Sequence, residues 1–381
     1  MLVNYEHPVP VDKHYGPAGQ GRAPPYPLSR QNFLIKQHYV VWWQGLSSPT
    51  GLEAAVSRLG GLRALVVGDV VLDVERRGRA ASLAPEGPVP LVIAEGEEHA
   101  VGGAGNAVAY LRSLGVAVSL VTVVGDDSEG SRIVKMLSDR GVDTSGVVID
   151  RDYSTVVVER ISADGRLLVR IDRVPGRGPS EEAISAALEA YARLLPSSDF
   201  VVISDHRRGL LTPAVGPRVV DEAHAAGLRV FVNPKADSAW NYVGADLLRM
   251  NLREASLMTG ISYINETSVR NMLLHVKSKV KAKNVAITWL EEGSYMLDEH
   301  NKFVTVKPLP TPVLNLVGIG DLILSATAAL SAAGLPVAAA FRVALGLAYL
   351  ASASSERLPD LRRLLGGLMS SPDLRRWAEG A

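Results

Sequence analysis

The residues best suited to chemistry in this chain are Asn315-Leu316-Val317-Gly318-Ile319-Gly320-Asp321, directly ahead of an apolar, small-residue helix over 322–333. Glycines at a helix start leave backbone N–H groups without acceptors, and the helix dipole adds partial positive charge there. That combination suits an anion. From its position alone, Asp321 in the first turn reads as an N-terminal capping or dipole-stabilising carboxylate. Other chemistries are excluded by what is missing. The chain has no cysteine, which removes thiolate nucleophiles, disulfides and Cys-ligated zinc. Its eight histidines show neither HExxH nor close pairing, which argues against catalytic zinc. No GxxxxGK[ST] loop occurs, and Gly103-Ala104-Gly105 runs on into Asn106-Ala107-Val108, so a dinucleotide fingerprint lacks its third glycine.

The elements that must position these residues read as an α/β domain. With 381 residues, 47% of them apolar and 21% charged, the chain has the composition of a soluble globular protein of one large domain or two ordinary ones. Forty basic residues balance forty acidic ones, so net charge gives no reason to expect nucleic acid or an anionic membrane as partner. Short β-rich runs at 62–68, 116–124, 200–203, 228–232 and 284–288 alternate with helical patterns at 104–114, 128–140, 179–195, 213–226 and 268–281. That is the pattern of a mostly parallel sheet with helices on both faces, a three-layer α/β/α domain over 49–381. Two intervals break the rhythm. Segments near 76–98 and 152–174 read as antiparallel strands, the second a hairpin turning at Ala163-Asp164-Gly165, and together they suggest a small inserted β-lid. Residues 1–48, rich in proline and glutamine, read as an N-terminal extension, partly disordered or packed as an arm.

Six motifs in order resemble the ribokinase-like (PfkB) family of carbohydrate kinases. They are Gly68-Asp69-Val70-Val71-Leu72-Asp73, Gly102-Gly103-Ala104-Gly105-Asn106, Ser204-Asp205-His206-Arg207-Arg208-Gly209, Asn251-Leu252-Arg253-Glu254, Thr288-Trp289-Leu290-Glu291-Glu292-Gly293 and Gly318-Ile319-Gly320-Asp321, with Asn233-Pro234-Lys235 between the third and fourth. Ala84-Pro85-Glu86-Gly87-Pro88-Val89-Pro90 further resembles the lid strand of heptose 7-phosphate kinase domains in ADP-heptose synthases. The resemblance implies a ribokinase-like fold and ATP-dependent phosphorylation of a sugar or sugar phosphate. It implies Asp321 as general base, with the N–H groups of Gly318, Ile319 and Gly320 as an anion hole. Asp73, Gly102, Gly103, Asn106, Arg170 and Asp205 would hold the sugar. Lys235, Asn251, Thr288, Glu292 and Gly293 would line the nucleotide, and Glu254 would orient Mg²⁺ through water. Lys235 with Arg207 or Arg208 would meet a phosphate.

Departures from the family pattern are expected to matter. Asn315 stands where the family has aspartate, Ile319 replaces a small alanine beside the anion hole, and Trp289-Leu290 replaces a polar pair in the nucleotide loop. These motivate the alternative of a catalytically weak or inactive sugar- or nucleotide-binding module derived from such a kinase. The remaining expectations are small-molecule partners, no nucleic acid, no membrane, a cytoplasmic location and a homodimer formed through the lid edge.

Overall fold

The computed structural model describes residues 50–311, 316–354 and 356–379. The expectation for residues 1–48 therefore lies outside the described residues. The main sheet has nine strands: β13 (Phe303–Val306), β12 (Ser294–Leu297), β11 (Asn284–Thr288), β10 (Leu247–Asn251), β9 (Arg229–Asn233), β8 (Phe200–Ser204), β1 (Arg63–Gly68), β4 (Ala117–Gly125) and β5 (Asp143–Asp150), in that order across the sheet. From β11 to β5 all pairs are parallel, and only β12 and β13 run antiparallel.

Period-two alternation divides each central strand between two cores. On β1, Ala64 and Val66 face a core shared with α1 (Thr50–Arg58), α2 (Ala104–Ser113), α3 (Ser128–Ser138), α8 (Ile319–Ala332), α9 (Val337–Ser352), α10 (Leu361–Ser370) and α11 (Pro372–Glu379). Leu65 and Val67 face the other, built with α4 (Glu181–Leu194), α5 (Val215–Ala225), α6 (Leu252–Thr259) and α7 (Glu266–Val280). The three-layer arrangement is thus the expected one. Among the described residues no helix is long and apolar enough to cross a membrane.

The second sheet is the lid, four strands in the order β3 (Pro90–Gly103), β2 (Val70–Leu83), β6 (Val157–Ala163) and β7 (Arg166–Arg173). Its hairpin turns at Asp164 and Gly165, both with positive φ of 51° and 74°, as a tight two-residue connection requires. β2 is longer than the lid segment expected from sequence and starts at Val70. Its outer half lacks apolar alternation because cross-strand charge pairs sustain it: Arg76–Glu97 at 2.8 Å, Arg77–Glu98 at 3.0 Å and Arg76–Glu159 at 2.7 Å.

Away from the lid, buried Asp246 ties three elements together. It accepts from Val230 N at 2.8 Å, His224 Nε2 at 3.0 Å and Lys283 Nζ at 2.7 Å. Burial opposes its charge, but these donors win and hold the carboxyl below its usual range. Because the folded group titrates below the unfolded one, its stabilisation is complete at neutral pH and disappears as pH falls through the acid range. Asp246→Asn is expected to cost about 2 kcal/mol at pH 7, the scale of a hydrogen bond between charged groups. Urea unfolding at two pH values checks this: the gap to wild type narrows on acidification.

Candidate active site

The carboxylate of Asp321 sits in the first turn of α8, only 4% exposed, where the ends of two sheet strands and two helices meet. Ser204 Oγ at the end of β8 donates to its Oδ1 at 3.0 Å, and Asn233 Nδ2 at the end of β9 donates to the same oxygen at 3.0 Å. Asn106 Nδ2 on α2 approaches Oδ2 at 3.5 Å, leaving that oxygen the less occupied one. Asn106 Oδ1 is buried without a partner. A hydroxyl entering beside Asn106 would meet an open acceptor on each of these two side chains.

His206 lies in the loop after β8, with Nε2 3.0 Å from Ser204 Oγ and 3.8 Å from Asp321 Oδ1. The loop is pinned by buried Asp69, which accepts N–H bonds from His206 at 3.3 Å, Arg208 at 2.9 Å and Leu210 at 3.2 Å. Burial acts to raise the Asp321 carboxyl, but His206, Asn233 and Ser204 outweigh it and hold the group below the usual carboxylate range. Asp321 is therefore ionised, as a base must be, across the neutral range. Replacing His206 by Gln removes the largest of the contributions that oppose burial, so the acid limb of kcat/KM is expected to move to higher pH. An unmoved limb in a pH–rate profile would count against this coupling.

Gly318 caps α8 with φ 72°, and Asn106 with Tyr110 packs where its side chain would go. The first-turn amides of Gly320 and Asp321 have no preceding helical carbonyl to bond. Ile319 N–H makes a long bond of 3.4 Å to Leu316 O, and the Ile319 side chain, 6% exposed, belongs to the core. Its branched side chain thus points into the protein interior. Asn315 lies outside the described residues.

The residues expected on the sugar side gather at the root of the lid. Asp73 on β2, 5% exposed, receives Arg160 Nη1 at 2.7 Å on Oδ1 and Arg357 Nη2 on Oδ2. Gly102 is glycine because a Cβ there would stand 2.1 Å from Asp73 Oδ2, and Gly103, at φ 61°, because one would stand 2.3 Å from Asp69 O. Arg170 is not part of this cluster. It is half exposed and pairs with Asp172 at 2.7 Å, while its cross-strand neighbour Arg160 reaches Asp73. Asp205 is also turned inward, 1% exposed, accepting from Tyr242 Oη at 2.7 Å and Arg207 N at 2.8 Å.

The residues expected to line a nucleotide form a second group. Asn251 and Glu254 make a reciprocal capping box on α6, with Glu254 N to Asn251 Oδ1 at 2.7 Å and Asn251 N to Glu254 Oε2 at 2.9 Å. Lys235 Nζ donates to Glu254 Oε1 at 3.2 Å. A cavity of about 610 Å³ opens beside Lys235, Asn251 and Glu254, with Trp240 and Met258 on its wall. Thr288, 4% exposed, receives Arg249 Nη2 on Oγ1. Gly293, at φ 144°, closes the turn through its N–H to Trp289 O at 2.8 Å, and Glu292 is exposed beside Tyr263. Trp289 packs edge-on against Tyr263 with centroids 4.7 Å apart.

The sequence reading missed Arg160, Arg357, His206 and Arg249 as members of the site. His206 and Arg249 stand within or beside recognised motifs, but nothing local marks their direction.

A family model described as pfkB family carbohydrate kinase matches residues 63–357. The bifunctional protein HldE of Pelobacter propionicus is 32% identical over 296 residues, covering 77% of this chain and 60% of that protein. The HldE of Geobacter metallireducens is 32% identical over 305 residues, covering 79% and 61%. The chain therefore spans about 60% of the length of the curated relatives it matches. Among solved structures, phosphofructokinase-2 from Escherichia coli in complex with fructose-6-phosphate superposes with a TM-score of 0.66 at 19% identity, covering 81% of this chain and 98% of that one. Arabidopsis thaliana ribokinase complexed with ribose and ATP gives 0.64 at 18% identity, covering 81% and 99%. Both share the fold.

Proposed function

This chain belongs to the pfkB family of carbohydrate kinases, and we propose that it transfers the γ-phosphoryl group of ATP to a hydroxyl of a sugar or sugar phosphate. The observation that carries this reading is the convergence of Ser204, Asn233 and Asn106 on an ionised, buried Asp321 at a helix N-terminus. Asp321 accepts the hydroxyl proton as the sugar oxygen bonds to phosphorus, and the bond to ADP breaks with its electrons leaving on the β-phosphate. The amides of Gly318, Ile319 and Gly320 face the charge that spreads over the transferring group. Little covalent chemistry is asked of the protein, so positioning and electrostatics supply the rate.

Asp73, Gly102, Gly103 and Asn106 hold sugar hydroxyls. Arg160 and Arg357, each with spare donors after binding Asp73, favour a substrate that is itself anionic. A heptose phosphate is one such substrate, in keeping with the Ala84–Pro90 resemblance.

Magnesium fits the donor set in one form. Among the described residues no group of three or more His, Asp or Glu could hold a metal, and Glu254 already accepts Lys235 and Asn251. That suits an ion held by the nucleotide's phosphates and reached by Glu254 and Asn251 through water. When bound, Mg²⁺ would neutralise charge accumulating on the leaving phosphates. Lys235, Thr288 and the 289–293 turn line the nucleotide.

A homodimer would cover the half-exposed Leu91, Ile93, Leu167, Val169 and Ile171 of the lid. A cytoplasmic location is in keeping with the proposed use of ATP. ADP release from Mg-ATP against a panel of sugars, sugar phosphates and nucleosides tests the reading. Release that depends on one acceptor class supports it, and release that no acceptor stimulates counts against it.

A further inference from the structure

Arg249 on β10 is 6% exposed, yet its guanidinium is held only by neutral groups. Nη1 donates to Asn233 Oδ1 at 3.2 Å, Nη2 donates to Thr288 Oγ1, and Nε is buried without an acceptor. Among the described residues it forms no ion pair, and the carboxylates whose charge it feels are those of Glu254 and Asp321. A buried guanidinium without a counter-ion is costly, and arginine cannot shed its proton to escape that cost. Such a charge is explained when an anion completes it.

The position of that anion follows from Gly320. A Cβ built there would stand 2.4 Å from Arg249 Nη1 and 3.1 Å from Cζ. The guanidinium therefore lies directly against the first turn of α8, and glycine occupies position 320 because the guanidinium takes the space. Being hydrogen-bonded to both Asn233 and Thr288, it has little freedom to withdraw.

Building on the kinase reading above, we propose that Arg249 is a positioning residue that supplies the fixed counter-charge beneath the anion hole and selects a nucleotide carrying a γ-phosphate over one without it. It acts through the Gly320 turn, adding a full charge to the partial charge of the helix N-terminus in a site of low dielectric. Its two hydrogen bonds also join Asn233, which holds the base, to Thr288 on the nucleotide side. Neutral residues of similar size would fill the volume without this selectivity.

Calorimetric titration of Mg-AMP-PNP and Mg-ADP against wild type, Arg249→Met and Arg249→Lys, each checked for cooperative melting, tests this assignment. The Met variant is expected to bind Mg-AMP-PNP roughly 10- to 100-fold more weakly, the scale of one desolvated charge contact. Its affinity for Mg-ADP changes by less than about threefold on the same argument. The Lys variant, which keeps the charge, falls between the two. If Arg249→Met does not fold, the same comparison between Arg249→Lys and Arg249→Gln decides it. A folded neutral variant that keeps the wild-type preference, or loses both nucleotides equally, overturns the assignment and leaves the kinase reading standing. A wild type that binds neither nucleotide overturns both.

Discussion

Asp321→Asn is expected to lower kcat by about 10²–10⁴-fold, the usual worth of a positioned general base, while the melting temperature and KM for both substrates change little. Asparagine is nearly isosteric, so its amide oxygen can keep the bonds from Ser204 and Asn233 that Oδ1 now accepts. The amide NH₂ would then face Asn106 Nδ2, which lies 3.5 Å from Oδ2. A flip of the Asn106 amide relieves that clash by offering its partnerless Oδ1 as acceptor. The fold thus has a place for the substitution. What disappears is the basic lone pair, and a loss made only in the transition state lowers kcat and kcat/KM together. Steady-state kinetics beside thermal unfolding checks both halves, and turnover retained within tenfold would remove Asp321 from the role of base.

The second large effect is expected at the other end of the substrate. Asp73→Ala leaves Arg160 and Arg357 facing each other without the carboxylate they share, their side chains 20% and 19% exposed. Breaking a buried charge pair from one side costs about 3–5 kcal/mol, and partial exposure reduces this to about 2 kcal/mol. Sugar affinity falls by roughly 100-fold at the same time, since hydroxyl acceptors lost from a polar site are discriminated strongly. The structural cause gives a distinctive signature: sulfate or phosphate should restore stability to the variant more than to wild type, by replacing the missing negative charge. Urea unfolding with and without sulfate measures it. A variant as stable as wild type and indifferent to sulfate would show that Asp73 does not organise the two arginines.

These expectations rest on residues that were unequally legible. The central strands could be read because each carries apolar side chains on both faces. The Asp164-Gly165 turn could be read because both residues adopt positive φ. Asp321, Asn106 and Asp73 could be named because motif and element agree. Partner choice was another matter. Arg160 and Arg170 are directly opposed on neighbouring lid strands, and strand order decides which one reaches Asp73: β6 pairs with β2, and β7 lies beyond it. Arg357 comes from beyond α9, 284 residues from its partner. Nothing local marks Arg249 ahead of the Asn251 cap, because its burial against α8 is a long-range event. Asp205 stood in a family motif, but Tyr242 claims it from a distant turn. The inner part of β2 was hidden for a local reason, since its apolar Val70-Val71-Leu72 run follows directly on β1.

The central claim is that the groups gathered on Asp321 make a phosphoryl-transfer site. It is tested most directly by incubating the wild-type protein with γ-labelled Mg-ATP and each acceptor of the sugar and sugar-phosphate panel for a single turnover, then separating the products. Label recovered on an acceptor hydroxyl, with stoichiometric ADP, is the predicted result. Tight binding of nucleotide and sugar with the label remaining on ATP would contradict the claim and identify the chain as a binding module.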